Sequence, residues 1–250
     1  MSPTRTLCVD VGGSAIKAAV LDDRGERVSD RVSRPTPYPL GPDELASVVA
    51  EIAAELGGGD RVSLGFPGMV RAGQVLTAPF FVTTSGPGSD GSIELTRAWA
   101  DVDLQGLLQR RLGCPVLVAN DADVHGAGVV VGRGLELVIT LGTGFGTGLF
   151  LNGVVCPHLE LAHHPFRDGE TYNQHLGDAA RRLVGPVEWN RRVRDALDVL
   201  ASLLHHDHVW IGGGNARHLT GELPPAATVI TQDAGLVGGV HLWRTADPIG

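Results

Sequence analysis

Cysteine, lysine and long apolar runs are all scarce in this 250-residue chain, and each shortage removes a class of function. The formal net charge is −8, which argues against a nucleic-acid binder, because contact with a phosphate backbone needs a concentrated positive surface. No stretch reaches the roughly twenty uninterrupted apolar residues of a bilayer crossing, so no membrane partner is expected. The first residues, Met1-Ser2-Pro3-Thr4-Arg5, run into a strand without the apolar centre of a signal segment, and a soluble, cytoplasmic protein is the expectation. Cys8, Cys114 and Cys156 are odd in number, far apart and set in apolar runs, a pattern of buried thiols rather than of a disulfide framework. Nineteen of the twenty cationic residues are arginine, leaving Lys17 as the only lysine. A chain with that bias places arginine wherever any cation serves. A compact ammonium fits beside a phosphate in a tight loop where a planar guanidinium does not.

What is present is an ordinary globular composition, 43% apolar and 19% charged, in a chain long enough for two compact domains or for one large one with a well-filled core. Residues 5–10, 15–21 and 27–33 read as a three-stranded meander, with a glycine turn at Gly12-Gly13. A proline-bearing connector then leads to a helix over 42–56, with Leu45, Val48, Val49, Ile52 and Leu56 at helical spacing. Residues 61–66 form a buried strand, and 73–76 one arm of a short hairpin. The polar stretch 83–92 is too long for a simple connection and reads as a lid or a mobile loop. Helices are expected over 95–112, 122–131, 185–204 and 235–242, and strands over 116–119 and 209–211. The meander recurs at 136–141, 147–151 and 154–156, joined by a second glycine turn and by Asn152-Gly153. Two equivalent hairpins predict a duplicated α/β fold. We place an N-terminal lobe over 1–120, able to regain the C-terminal helix, and a C-terminal lobe over 121–250.

Glycine-rich turns present backbone N–H groups to phosphate without side chains in the way. The first, Gly12-Gly13-Ser14, follows Asp10, whose carboxylate is placed to hold Mg²⁺ directly or through water. The second is Gly142-Thr143-Gly144-Phe145-Gly146. Neither is a P-loop, and the second opens a hairpin rather than a dinucleotide-binding helix. Phosphoryl transfer also needs an acceptor for the proton of the attacking hydroxyl, and Asn120-Asp121-Ala122-Asp123 offers a carboxylate just past a strand. Capping of the following helix is the competing use of Asp121 or Asp123.

The order Asp-x-Gly-Gly-Ser-x-x-Lys, Phe-Pro-Gly, Asn-Asp-Ala-Asp, Gly-Thr-Gly-x-Gly, Glu-Leu-x-His and Gly-Gly-Gly resembles the sugar kinases of the ROK family, from Asp10 to about Val240. Within that family it is most similar to the short actinobacterial polyphosphate-or-ATP glucokinases. The resemblance implies an actin-like, duplicated ribonuclease-H-like fold with sugar in the cleft between two lobes, and a homodimer. It implies Asp121 as catalytic base, with Gly68, Asn120, Glu160 and His163 at the sugar. It also implies Asp10, Gly12, Gly13, Ser14, Lys17, Gly142, Thr143, Gly144, Gly146, Gly213, Gly214 and Asn215 at the donor phosphates and nucleotide, and Asp233-Ala234-Gly235 at the start of the closing helix. The implied reaction moves the terminal phosphoryl group of ATP or polyphosphate to a hexose hydroxyl, glucose to glucose 6-phosphate first of all.

The departures bear on the acceptor. Ala162 stands where relatives have glycine in Glu-x-Gly-His, which is expected to reshape the pocket, and Phe80 stands where many have a sugar-binding asparagine. An amino sugar or a cyclitol is therefore the alternative acceptor. No cysteine follows Cys156, so the family's structural zinc site is not expected, and His158, His163, His164 and His175 lack a ligand spacing. A sugar-sensing regulator would carry an N-terminal helix-turn-helix, and only nine residues precede Asp10. Arg167, Arg181, Arg182, Arg191, Arg192 and Arg194 are either a track for polyphosphate or a solvated face, with five acids interspersed.

Overall fold

The computed structural model describes residues 3–230 and 234–245, and two compact units divide the chain. The first takes the residues up to Gly128 and those from Gly235 onward; the second takes Val129–Ala234. Residues 121–128, assigned to the C-terminal lobe from the sequence, therefore pack with the first unit.

In the first unit β1 (Thr6–Val11), β2 (Ala15–Leu21) and β3 (Val32–Pro35) form the expected meander. The third strand is shorter than 27–33 suggested, because Arg27 makes only a single bridge to Leu21 before the chain turns away. Helix α1 (Pro42–Glu55) starts on a proline at its first position and leads to β4 (Arg61–Phe66). Two short strands follow, β5 (Val70–Arg71) and β6 (Gln74–Val75). The single helix expected over 95–112 is two, α2 (Ile93–Trp99) and α3 (Leu104–Leu112), separated by β7 (Val102–Asp103). Asp101 sits between them at φ 53°, a left-handed conformation that no helix continues through. The Asp103 side chain then accepts from the Gly106 amide and restarts the helix. Strand β8 (Val116–Asn120) runs directly into α4 (Asp121–Ala127), which ends four residues short of 131 among Gly126 and Gly128.

In the second unit β9 (Leu135–Leu141), β10 (Phe145–Leu151) and β11 (Val154–Val155) repeat the meander. The hairpin β12 (Pro165–Arg167) and β13 (Glu170–Thr171) and the short helix α5 (Tyr172–Leu176) carry no strong periodic signal and were not anticipated. Helix α6 (Asp178–Leu204) begins earlier than 185, and its first turns are set off from the rest by Gly185 at φ 78°, ψ 170°, with Pro186 starting the continuation. Strands β14 (His208–Gly212) and β15 (Ala227–Val229) complete the unit, and α7 (Ala234–Thr245) returns to the first one.

The two sheets have one topology. Their strand orders are β3-β2-β1-β4-β8 and β11-β10-β9-β14-β15. In each, the first strand pairs antiparallel with the second and parallel with the fourth, and the fifth extends the parallel side. This is the ribonuclease-H-like arrangement, present twice, as the sequence resemblance implied. Each sheet has its own apolar core, centred on residues such as Leu7, Ile16, Leu64 and Phe81 in the first unit and Leu137, Ile139, Trp189 and Leu200 in the second. No disulfide joins the cysteines among the described residues; Cys8 is buried, whereas Cys114 and Cys156 are only half-buried. Among the described residues, no helix is long and apolar enough to cross a membrane.

Candidate active site

Ligands of parallel α/β sheets gather outside the carboxyl ends of the strands. In the first unit the residues singled out from the sequence stand at those ends. Strand β1 finishes on Asp10-Val11, β4 leads into Phe66-Pro67-Gly68, and β8 ends on Asn120. The register places Asp10 opposite Gly65, and Phe66 opposite Asn120. Asp10 also lies opposite Lys17 across the β1–β2 hairpin, with the Lys17 Nζ 3.7 Å from the carboxylate. Both side chains are partly exposed. The turn between them is closed by the Gly12 amide donating to the Ala15 carbonyl at 3.0 Å. Magnesium is usually held by one or two carboxylates, substrate phosphates and water rather than by an all-protein cage. A single half-exposed Asp10 carboxylate fits that use.

Asn120 is buried and occupied at both ends of its amide. Its nitrogen donates to the Gly68 carbonyl at 3.0 Å, and its oxygen accepts from the Ala122 amide at 2.7 Å, capping α4. The cap is thus Asn120, not Asp121 or Asp123. The Asp121 carboxylate accepts from the same amide at 2.9 Å at the first helical position, where a negative charge is favoured by the helix N-terminus. Gly65 lets α4 approach the sheet, since a methyl there would come within 3.3 Å of the Asp121 Cα. Asn120, Asp121 and Gly68 are therefore brought together. Sequence reasoning passed over His125, one turn further along α4. Burial holds its imidazole below the ordinary range, the Asp10 carboxylate pulls it up, and the Lys17 ammonium pushes it down again.

In the second unit the glycine turn between β9 and β10 is tied to the loop after β14. The Asn215 amide donates to the Leu141 carbonyl at 2.8 Å, and its side-chain nitrogen donates to the Gly142 carbonyl at 2.9 Å. Gly213 has φ +85°, and a Cβ there would run into the Leu141 backbone, so only glycine fits. The Asp178 amide, at the start of α6, donates to the Gly142 carbonyl at 3.1 Å, and the Asn173 side chain accepts from the Phe145 amide at 3.0 Å. Gly142, Thr143, Gly144, Gly213, Gly214 and Asn215 thus form one cluster of loops. Asn173 and Asp178 belong to it and had no sequence signal. Gly146 lies within β10, opposite Thr140.

Glu160 precedes and His163 ends a single helical turn, Leu161–His163, whose approach is fixed by the Thr147 hydroxyl donating to the Leu159 carbonyl at 2.9 Å. Glu160 faces the buried His158 ring at 3.8 Å, and His163 is exposed. Ala162 is buried in the core of the second unit, so its methyl group fills apolar space there. His175 is taken up by Glu170 at 3.1 Å and by Arg192 at 3.0 Å.

The arginine-rich segment resolves into local pairs. Arg181 and Arg182 meet Asp178, Arg191 meets Glu188 and Asp195, Arg192 meets Glu188, and Arg167 meets Asp195. Arg194 donates to the Thr220 carbonyl. Hydrogen bonds from Arg191 and then Arg192 hold the Glu188 carboxyl down at about 2. The face reads as a network of ion pairs, not as a bare cationic track.

Comparison with known proteins gives a consistent result. Polyphosphate glucokinase of Mycobacterium leprae (strain TN) is 27% identical over 258 residues, covering 96% of this chain and 74% of that protein. Among solved structures, the inorganic polyphosphate/ATP-glucomannokinase from Arthrobacter sp. strain KM is 28% identical with a TM-score of 0.79, over 95% of this chain and 97% of its own. A ROK family glucokinase from Streptomyces griseus, solved with glucose and AMPPNP, shares the fold with a TM-score of 0.72 at 21% identity, over 95% and 98% of the two chains. The ROK family itself matches residues 6–157, a span that holds both glycine hairpins, the Asn120-Asp121 pair and Glu136 on the first strand of the second hairpin. This chain belongs to the ROK family.

Proposed function

We propose that this chain is a sugar kinase, transferring the terminal phosphoryl group of ATP or polyphosphate to a hexose hydroxyl, with glucose to glucose 6-phosphate as the principal reaction. The observation that carries the reading is the placement of Asp121 beside Asn120 and Gly68, at the same carboxyl edge of the sheet as Asp10 and its lysine partner. The names of the mycobacterial and Arthrobacter relatives support the substrate classes.

In this reading the sugar hydroxyl attacks the terminal phosphorus, and a new O–P bond forms as the bond to the donor's bridging oxygen breaks. The hydroxyl proton passes to the Asp121 carboxylate. Asn120, with its amide fixed by Gly68 and Ala122, is assigned to the sugar, and so are Glu160 and His163, whose carboxylate and imidazole suit sugar hydroxyls. Lys17, the loop Gly12-Gly13-Ser14 and the cluster of Gly142 to Gly144 with Gly213 to Asn215 carry the donor's charge. Mg²⁺, when bound with the donor at Asp10, offsets charge on the transferring group.

The test is a coupled assay that crosses a panel of hexoses, amino sugars and cyclitols with ATP and with polyphosphate. Robust turnover of glucose supports the reading, and turnover confined to a cyclitol or an amino sugar overturns the choice of acceptor. Asp121→Asn is expected to lower kcat by about 10² to 10⁴-fold while glucose binding, followed by intrinsic fluorescence, is retained. Near-normal turnover of that variant removes Asp121 from the role of base.

A further inference from the structure

Three consecutive carbonyls of the first glycine loop are taken up by one strap, the segment between β3 and α1. The Thr36 hydroxyl donates to the Gly12 carbonyl at 2.7 Å, and the Tyr38 hydroxyl donates to the Gly13 carbonyl at 2.7 Å. The Thr36 amide donates to the Ser14 carbonyl at 3.1 Å. In a trans peptide the carbonyl of one residue and the N–H of the next point in opposite directions. Fixing the Gly12 and Gly13 carbonyls on the strap therefore turns the amides of Gly13 and Ser14 away from it.

Neither of those two amides has a hydrogen-bond partner among the described residues, although Gly13 is buried. An unpaired backbone donor in a buried position such as Gly13 is rare, and with the exposed Ser14 amide next to it the two successive N–H groups make a concave site for an anion. The chain following β6 also packs against the loop. A methyl group on Gly13 would stand 3.0 Å from Pro87 and 3.3 Å from the Phe80 ring, and one on Gly86 would stand 3.2 Å from the Tyr38 ring. Phe80 and Pro87 thus lie against the glycine loop, and Gly86 backs the tyrosine; Gly86 and Pro87 belong to the stretch 83–92 read from the sequence as a lid or a mobile loop. Burial pushes the Tyr38 phenol up to about 12, so its proton stays in place through the neutral range.

We infer that Thr36 and Tyr38 are positioning residues for the phosphoryl donor: their hydroxyls aim the Gly13 and Ser14 amides at one of its phosphates. The inference takes its ligand class from the kinase reading above. Three variants separate the hydroxyls from the shape of the side chains: Thr36→Val, Thr36→Ser and Tyr38→Phe. MgATP and inorganic tripolyphosphate are titrated calorimetrically against the full chain, and donor and glucose KM are measured in parallel.

Loss of one hydroxyl is expected to weaken donor binding and raise donor KM by about three- to tenfold, with glucose KM unchanged. Thr36→Ser, which keeps the donor hydroxyl, is expected to bind as the wild type does. Equal weakening by Ser and Val overturns the inference, because it assigns the effect to packing. So does wild-type donor affinity in a folded Thr36→Val, or a rise in glucose KM that matches the rise for the donor. If Tyr38→Phe fails to fold, the two Thr36 variants still decide. Should the wild type bind tripolyphosphate in the expected pattern yet phosphorylate no hexose, the kinase reading falls and the strap stands.

Discussion

Four hydrogen-bond donors close on the carboxylate of Glu136, a buried residue of β9. One oxygen accepts from the Gly132 amide at 2.7 Å and the Arg133 amide at 3.1 Å, the other from the Val131 amide at 2.9 Å and the Trp210 indole at 2.9 Å. Burial by itself would raise the carboxyl above its ordinary range, but the bonds from Val131, Trp210, Arg133 and Gly132 prevail and hold it lower. A carboxyl depressed in the folded state contributes stability above its unfolded value, about 4.3, and that contribution is lost as the pH falls through the folded value. Glu136→Gln keeps the shape but replaces one oxygen with an NH₂ group, leaving two donors unmet. We expect it to destabilise the protein by about 2–4 kcal/mol at neutral pH in urea unfolding, and to flatten the loss of stability on acidification below pH 5. An unchanged midpoint would show that the residues before β9 can rearrange at little cost.

Helix α7 illustrates how an element is held by what it lacks. Small residues let it lie close to the first sheet, where a methyl on Gly239 would stand 2.8 Å from the Cys8 sulfur and 3.2 Å from Ser63. The Ser63 hydroxyl donates to the Gly239 carbonyl at 2.5 Å and accepts from the Trp243 indole at 2.8 Å, while the Arg61 guanidinium lies 4.9 Å from the Trp243 ring centre. Under this cover burial pushes the Cys8 thiol up to about 12. In the native protein, Cys114 and Cys156 are expected to react with a disulfide reagent such as DTNB while Cys8 does not. Gly239→Leu overpacks the contact, at a cost of about 1–3 kcal/mol, and is expected to make Cys8 reactive without denaturant. Continued protection of Cys8 in that variant would mean that α7 does not cover it.

Across the whole molecule, the parts legible in the sequence are those with local signals. Glycine turns between apolar strands announced both hairpins, and through them the duplication. The residues just after strand ends announced Asp10, Gly68 and Asn120-Asp121, because ligands collect where parallel strands finish. The break between α2 and α3 was missed since Asp101 adopts its positive φ without a glycine to mark it. Glu136 looked like one polar residue in a strand, and Thr36 and Tyr38 like part of a connector. The three amides on Glu136 belong to a preceding loop with no pattern of its own, and the other partners lie far along the chain, 74 residues away for the Trp210 bond and 24 and 25 for the glycine loop. The repeated topology also shows where the copies diverged. The last pairs before the turns are Asp10 with Lys17 and Val11 with Ile16 in the first sheet, but Leu141 with Phe145 in the second.

That divergence leaves the molecule with a single side-chain amine, at Lys17 in the first hairpin. The consequence is chemical addressability. An N-hydroxysuccinimide ester has one lysine to acylate, partly exposed and 3.7 Å from Asp10, so the terminal amine aside, one adduct reports on the donor loop. Peptide mapping is expected to find that adduct on Lys17, and saturating MgATP or tripolyphosphate is expected to slow its formation. Acylation at the same rate with and without donor would show that no phosphate reaches this amine.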